Sequence, residues 1–396
     1  MVLAATTALS CARQAEEIDY NEIEQQALDA WISANAPQAM PLGDEGMYYE
    51  VLEESSGESG SVNVRGRWVD VDYTIRTLNG DVVYTRNEST ARMLGTRLSY
   101  THYVPARLYI ASQESLSDIP AGIYRSITSM PAGAVWRVYI PSRLAFASSG
   151  INPGSGYGGQ TGLDPDSPII LDSLRITDII DNPQQACRDA VRKLATAPAP
   201  DGWGKLAADT VRYGMYMEIF NRAAGQTGDT IPTNQSAEIY YKLRYLDGKL
   251  ITSNVDSVLI NNFGSVRSSD PTTEVSITRT QQGTTPTNAL QMPAKVFYAI
   301  ISDLCYGDIG RIAVPSEYAY YTQYMYPDLS ASMWNRTTTF DFDFTFQYGD
   351  YTIEDRDYFF GSGSYYMPTS SQSSVPIGEI PAYTPLIYEF TVRRPS

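Results

Sequence analysis

Hydrophobic and polar positions along this chain follow two periods. Some stretches alternate residue by residue, as strands buried on one face do: "RWVDVDYTI" from Arg67, "VWRVYI" from Val135, "SAEIYYKLRY" from Ser236 and "IGRIAV" from Ile309. Others carry the helical period: "EIEQQALDAWISANAP" (22–37), "NPQQACRDAVRKLATAPAP" (182–200), "AGIYRSITSM" from Ala121 and "AKVFYAIISDL" from Ala294. The two short segments place Ile123, Ile127 and Met130, or Phe297, Ile300, Ile301 and Leu304, on one helix face. Asn79-Gly80 and Asp247-Gly248 close two of the alternating segments and read as hairpin turns.

The pattern occurs twice. "GMYYEVLEES" at 46–55 returns as "GMYMEIFNRA" at 214–223, and Gly46, Tyr73 and Gly80 each stand 168 positions before Gly214, Tyr241 and Gly248. Further on, Met130 and Leu304, like Pro141 and Pro315, are 174 apart, so the intervening loop is six residues longer in the second copy. The expected fold class is α+β: two units, each a twisted antiparallel sheet with one short helix on its face and a helix leading into it. The expected boundaries are a helical lead-in at 12–38, a first domain at 39–181, a helical linker at 182–210 and a second domain at 211–396. The second domain carries an inserted hairpin at about 322–379, where Phe340, Phe342, Phe344 and Phe346 alternate with acids.

A length of 396 residues accommodates two such domains. The formal charge of −16, with no block of Lys or Arg, excludes phosphate-backbone binding, so no nucleic-acid partner is expected. No apolar run reaches the length of a membrane span. Thirty tyrosines, grouped in alternating segments, suit half-buried strands and amphipathic grooves that accept peptide-like ligands. One histidine, His102, and three scattered cysteines give no metal cluster, and no metal or cofactor is expected. Asp341, Asp343, Asp350, Glu354, Asp355 and Asp357 follow strand alternation rather than a calcium-loop spacing and read as a solvated face. The glycines of "GINPGSGYGGQTG" (150–162) open no helix and read as a flap. Cys187 and Cys305 sit in helical-looking stretches as buried thiols, with a disulfide between them as the alternative. Cys11 closes "VLAATTALSC" ahead of a polar, acidic stretch, which reads as a lipoprotein-type signal over 1–11 with Cys11 as the lipidated residue. That would attach the chain to a membrane by its lipid anchor alone, in a bacterial cell envelope.

Four features recur in order in both copies: a strand Tyr followed by Asn-Gly or Asp-Gly, one short helix, a late "VYIPSRLAF" or "IAVPSEYAY" strand, and a closing "SPIILDSL" or "TPLIYEFTV" strand. Together they resemble the FKBP-type peptidyl-prolyl cis-trans isomerase family, over nearly all of 40–181 and 211–394. The resemblance implies binding of unfolded or proline-containing polypeptide and catalysis of X-Pro rotation. That rotation passes a barrier of about 18–20 kcal/mol set by amide resonance. A dry aromatic pocket shaped to the twisted amide lowers it without nucleophile or metal.

The family positions fall on different residues in the two copies. In the first, Tyr73 matches the strand Tyr, while Val83, Tyr84, Ile123, Phe146 and Leu171 stand where the family has Phe, Asp, Trp, Tyr and Phe. In the second, Tyr241 matches the strand Tyr, Phe297 supplies an aromatic floor, Tyr320 keeps the late hydroxyl and Tyr388 the last ring. Ile251 and Thr252 replace the Phe and the pocket Asp there. Tyr241, Phe297, Tyr320 and Tyr388 are therefore the expected catalytic set, and Ile251, Thr252 and the six first-copy residues the expected substrate-binding positions. Both copies are degenerate, and weak isomerase or chaperone activity is expected from the second. The competing reading is a non-catalytic, partner-binding protein with both grooves closed.

Overall fold

The computed structural model describes residues 20–55, 63–97, 99, 101–117, 119–147, 162–196, 209–210, 214–222, 228–266, 270–271, 273–279, 294–316, 380 and 383–395. The first unit runs α1 (Tyr20–Asn35), β1 (Met40–Leu42), β2 (Met47–Glu53), β3 (Arg67–Thr77), β4 (Val82–Thr85), α2 (Glu88–Met93), β5 (Ala106–Ile110), α3 (Ala121–Ser129), β6 (Val135–Ile140) and β7 (Ile169–Ile180). The second runs α4 (Pro183–Thr196), β8 (Asp209–Thr210), β9 (Tyr216–Ile219), β10 (Asp229–Thr230), β11 (Ser236–Tyr245), β12 (Leu250–Ser253), α5 (Asp256–Phe263), β13 (Val275–Thr278), α6 (Ala294–Ile300), β14 (Cys305–Tyr306), β15 (Ile309–Val314) and β16 (Leu386–Arg393).

The first sheet has the strand order β1-β2-β6-β7-β3-β4, with β5 also on β3. The second has the order β12-β11-β16-β15-β9-β8, with β13 on β11. All these pairings are antiparallel, so the chain is α+β as the alternation implied. In both sheets the last strand, β7 or β16, lies in the interior between two partners. Alternation decides what each strand buries: β11 turns Ala237, Ile239, Tyr241, Leu243 and Tyr245 inward and exposes the residues between them in part.

One face of the first sheet receives α3, whose Ile123 and Ile127 enter the same core as Val71, Tyr73, Ile75 and Val138. The helix approaches the end of β6 so closely that a Cβ on Gly122 would lie 2.3 Å from Ile140 Cγ2 and 3.0 Å from the Leu144 carbonyl. Only glycine fits there. The opposite face carries the lead-in helix. Leu28 and Ile32 of α1 pack on Tyr139 and Ile170, and Val191 and Ala195 of α4 pack on Ala313 and Ile387 at the matching places of the second sheet.

Polar contacts on these faces also repeat. Arg76 and Arg137 both pair with Asp172, at 2.8 and 2.9 Å. In the second unit Arg244 pairs with Glu389 at 3.2 Å and Arg311 with Glu218 at 2.9 Å. Arg76 and Arg244 each donate to the carbonyl of the turn glycine, Gly80 at 3.1 Å and Gly248 at 2.9 Å. Those glycines have φ of 91° and 89°, the left-handed conformation a hairpin turn demands.

Two expectations need amendment. Each unit holds a second short helix, α2 or α5, where a loop was expected. Six or eight residues show too little helical period to detect, and α2 is held instead by its cap, Asn87, whose side chain accepts from Thr90 N at 3.0 Å. Cys305 lies in the two-residue strand β14 rather than in a helix. Cys187 and Cys305 are both buried thiols, not a disulfide: Ser316 N donates to Cys187 Sγ at 3.0 Å, and Arg222 Nη1 to Cys305 Sγ at 3.2 Å. Cys11 and the insertion at 322–379, with its acids, lie outside the described residues.

Candidate functional site

Tyr241 on β11 and Tyr388 on β16 point inward from neighbouring strands, because both occupy the buried phase of the alternation. Phe297 comes down on them from α6. The ring centroids form a triangle, Tyr241–Tyr388 at 5.7 Å, Tyr241–Phe297 at 6.2 Å and Phe297–Tyr388 at 5.5 Å. Phe390 joins it edge-on to Phe297 at 5.8 Å. These separations are those of attractive aromatic pairs. Sequence reasoning passed over Phe390, although its place two residues beyond Tyr388 on the same strand puts it on the same face. Tyr320 lies outside the described residues.

Ile251 belongs to the same core, and Thr252 beside it is fully buried. Thr252 Oγ1 donates to Asp270 Oδ1 at 2.6 Å, and Asp270 is itself buried. A carboxylate therefore does stand at this corner of the second unit, supplied by the segment after α5 rather than by the returning strand. The sequence offered no signal for it, since Asp270 sits in neither a strand nor a helix.

All six candidate positions of the first unit fall in a single core: Tyr73, Val83, Tyr84, Ile123, Phe146 and Leu171. Tyr73 and Tyr84 are 5.7 Å apart, while Ile123 and Leu171 fill with aliphatic carbon the places that Phe297 and Tyr388 fill with rings. Tyr241 is 1% exposed, and Phe297 and Tyr388 are 0% exposed. The described rings thus meet one another and the core rather than solvent. No group of three metal-ligating side chains occurs among the described residues.

Over 116 residues the chain is 28% identical to the peptidyl-prolyl cis-trans isomerase Mip of Coxiella burnetii, a match spanning 29% of this chain and 40% of that protein. The chain is similar to a peptidyl-prolyl isomerase. It thus matches less than half the length of this curated relative. Among solved structures it is similar to a peptidyl-prolyl cis-trans isomerase of Pseudomonas syringae, at 18% identity and TM-score 0.28 over 42% of this chain and 99% of that one. It is similar also to FkpA of Escherichia coli, at 17% identity and TM-score 0.27 over 41% of this chain and 60% of that one. A third is the set of three FKBP domains of wheat FKBP73, at 11% identity and TM-score 0.26 over 90% of this chain and 98% of that one. No family model matches the chain.

Proposed function

We propose that the chain is an FKBP-like peptidyl-prolyl cis-trans isomerase or folding chaperone of the bacterial cell envelope, attached by a lipid on Cys11, with weak activity carried by the second unit. Its partners are unfolded or proline-containing polypeptides. The observation that carries this reading is the Tyr241–Phe297–Tyr388 triangle, which puts rings in the second unit where the first has Ile123 and Leu171. Such rings favour a twisted X-Pro amide, whose charge separation is smaller than that of the planar form. Similarity to the Coxiella isomerase supports the reading. The test is a protease-free assay of proline-limited refolding. Wild type is expected to exceed the uncatalysed rate, and Tyr320→Ala or Phe297→Leu to lose most of the gain. A wild-type rate no faster than the uncatalysed one rules out the isomerase.

The near-zero exposure of Tyr241, Phe297 and Tyr388 favours a second reading, a non-catalytic protein that binds partners with other surfaces. Fluorescence anisotropy with a labelled proline-containing peptide separates the two. Binding that Phe297→Leu weakens belongs to the first reading, and its absence to the second.

A further inference from the structure

The two units meet at one end of the second sheet. Tyr383, just ahead of β16, is buried against Trp68 of β3, with rings 5.1 Å apart and nearly perpendicular, and Ile180 completes the cluster. Arg107 of β5 donates to the Tyr383 carbonyl at 3.2 Å. That guanidinium is aimed by a two-pronged bond to Asp70, 2.8 Å on each prong. Burial disfavours its charge, yet the Asp70 carboxylate outweighs this and raises its pKa. A second contact lies at the β11–β12 turn. His102 Nε2 is 2.8 Å from Asp247 Oδ2, the His102 ring stacks on Tyr245 at 3.9 Å, and Lys249 Nζ donates to the Ser99 carbonyl at 2.9 Å.

These contacts converge, because Tyr245 and Leu386 are direct partners across the β11–β16 ladder. Tyr388 stands two residues beyond Leu386, and Ile251 and Thr252 stand two and three residues beyond Lys249. Tyr383 is also a non-glycine residue at φ 54°, a strained backbone that persists only where its surroundings enforce it.

We infer that the first unit is a positioning element for the second: through Trp68, Arg107 and His102 it fixes the end of the sheet from which the site strands start, so that polypeptide binding in the second unit depends on it. The binding half of this inference rests on the proposed function; the mechanical half does not. Trp68, Arg107 and His102 are positioning residues: they hold Tyr383, Asp247 and Tyr245.

The test uses the full chain with two variants, Tyr383→Ala and the surface pair His102→Asn/Asp247→Asn, in case the first alone perturbs folding. Backbone hydrogen exchange reads the strand starts directly, and anisotropy with a proline-containing peptide reads the site. Expected in each variant are faster exchange at amides 250–253 and 386–388, unchanged exchange in β6, and peptide affinity weaker by about threefold or more. Unchanged exchange at the strand starts in both variants overturns the inference. Faster exchange with unchanged affinity overturns the dependence of binding on the first unit. If wild type binds no peptide, the proposed function and the binding dependence both fall, and exchange alone decides whether the first unit holds the second.

Discussion

The carboxylate of Glu24, on α1, accepts both the amide and the hydroxyl of Ser142, at 2.6 and 2.5 Å. Pro141 ends β6 because it has no N–H to extend the ladder, and the next amide turns to the helix instead. The same junction recurs in the second unit, where the Ser316 amide bonds Cys187 Sγ of α4. The twin Pro-Ser motifs therefore mark where each lead-in helix is fastened to its sheet, with an acid as fastener in one copy and a thiol in the other.

Glu24→Ala leaves two buried donors of Ser142 without this acceptor. The expected cost is about 1–3 kcal/mol, the penalty for unsatisfied buried polar groups. Urea unfolding measures it, and Glu24→Gln, which can still accept through one oxygen, is expected to lose less.

Thr252→Val keeps the volume of the side chain but withdraws the hydroxyl from Asp270. A hydrogen bond contributes about 0.5–1.5 kcal/mol net, and an unsatisfied buried acceptor adds to the loss, so the midpoint of denaturant unfolding should fall. If Thr252→Val unfolds like wild type, the Thr252–Asp270 bond adds nothing to the stability of the second unit.

Since Cys187 and Cys305 are separate and buried, a reducing agent should leave Tm unchanged in a Cys11→Ser background. Both thiols should resist a thiol-reactive dye in the native state and titrate fully only after unfolding. Prompt labelling of either one in the native chain would contradict its burial.

The Asp247 carboxyl is held below the usual range, chiefly by its bond to His102; burial opposes this, and the Lys249 amide adds to the lowering. A carboxyl depressed in the folded state contributes stability that is complete above its unfolded value of about 4 and lost as pH falls through the folded value. His102→Asn removes the main cause, so wild type should exceed this variant slightly at pH 7, and the gap should close as pH falls through the folded value. The difference should be small, because Asp247 is largely exposed. A gap that does not narrow on acidification would assign the effect to something other than this carboxylate.

Local periodicity made much of the fold legible. Alternation in 67–77 and 236–245 defined β3 and β11 and the inward side of Tyr73 and Tyr241, and the spacing of 168 placed those two strands in separate sheets. Features set by contacts distant in sequence were not legible. Asp270 reaches Thr252 from eighteen residues away. His102 and Asp247 are 145 residues apart and Arg107 and Tyr383 are 276 apart, so nothing local announces either pair. The short helices α2 and α5 escaped for a different reason: capping and tertiary packing hold them, and neither leaves a periodic trace.

The link between the units carries a mechanical consequence. Ile180 ends β7 and Pro183 begins α4, leaving Asp181 and Asn182 between them, and Arg67 grips Asp181 at 2.6 and 2.9 Å. Tension applied across the pair therefore enters an interior strand bonded along both edges. It must shear those ladders together rather than peel an edge strand one bond at a time, so a chain anchored at one end and loaded at the other would have no slack hinge here to give way first.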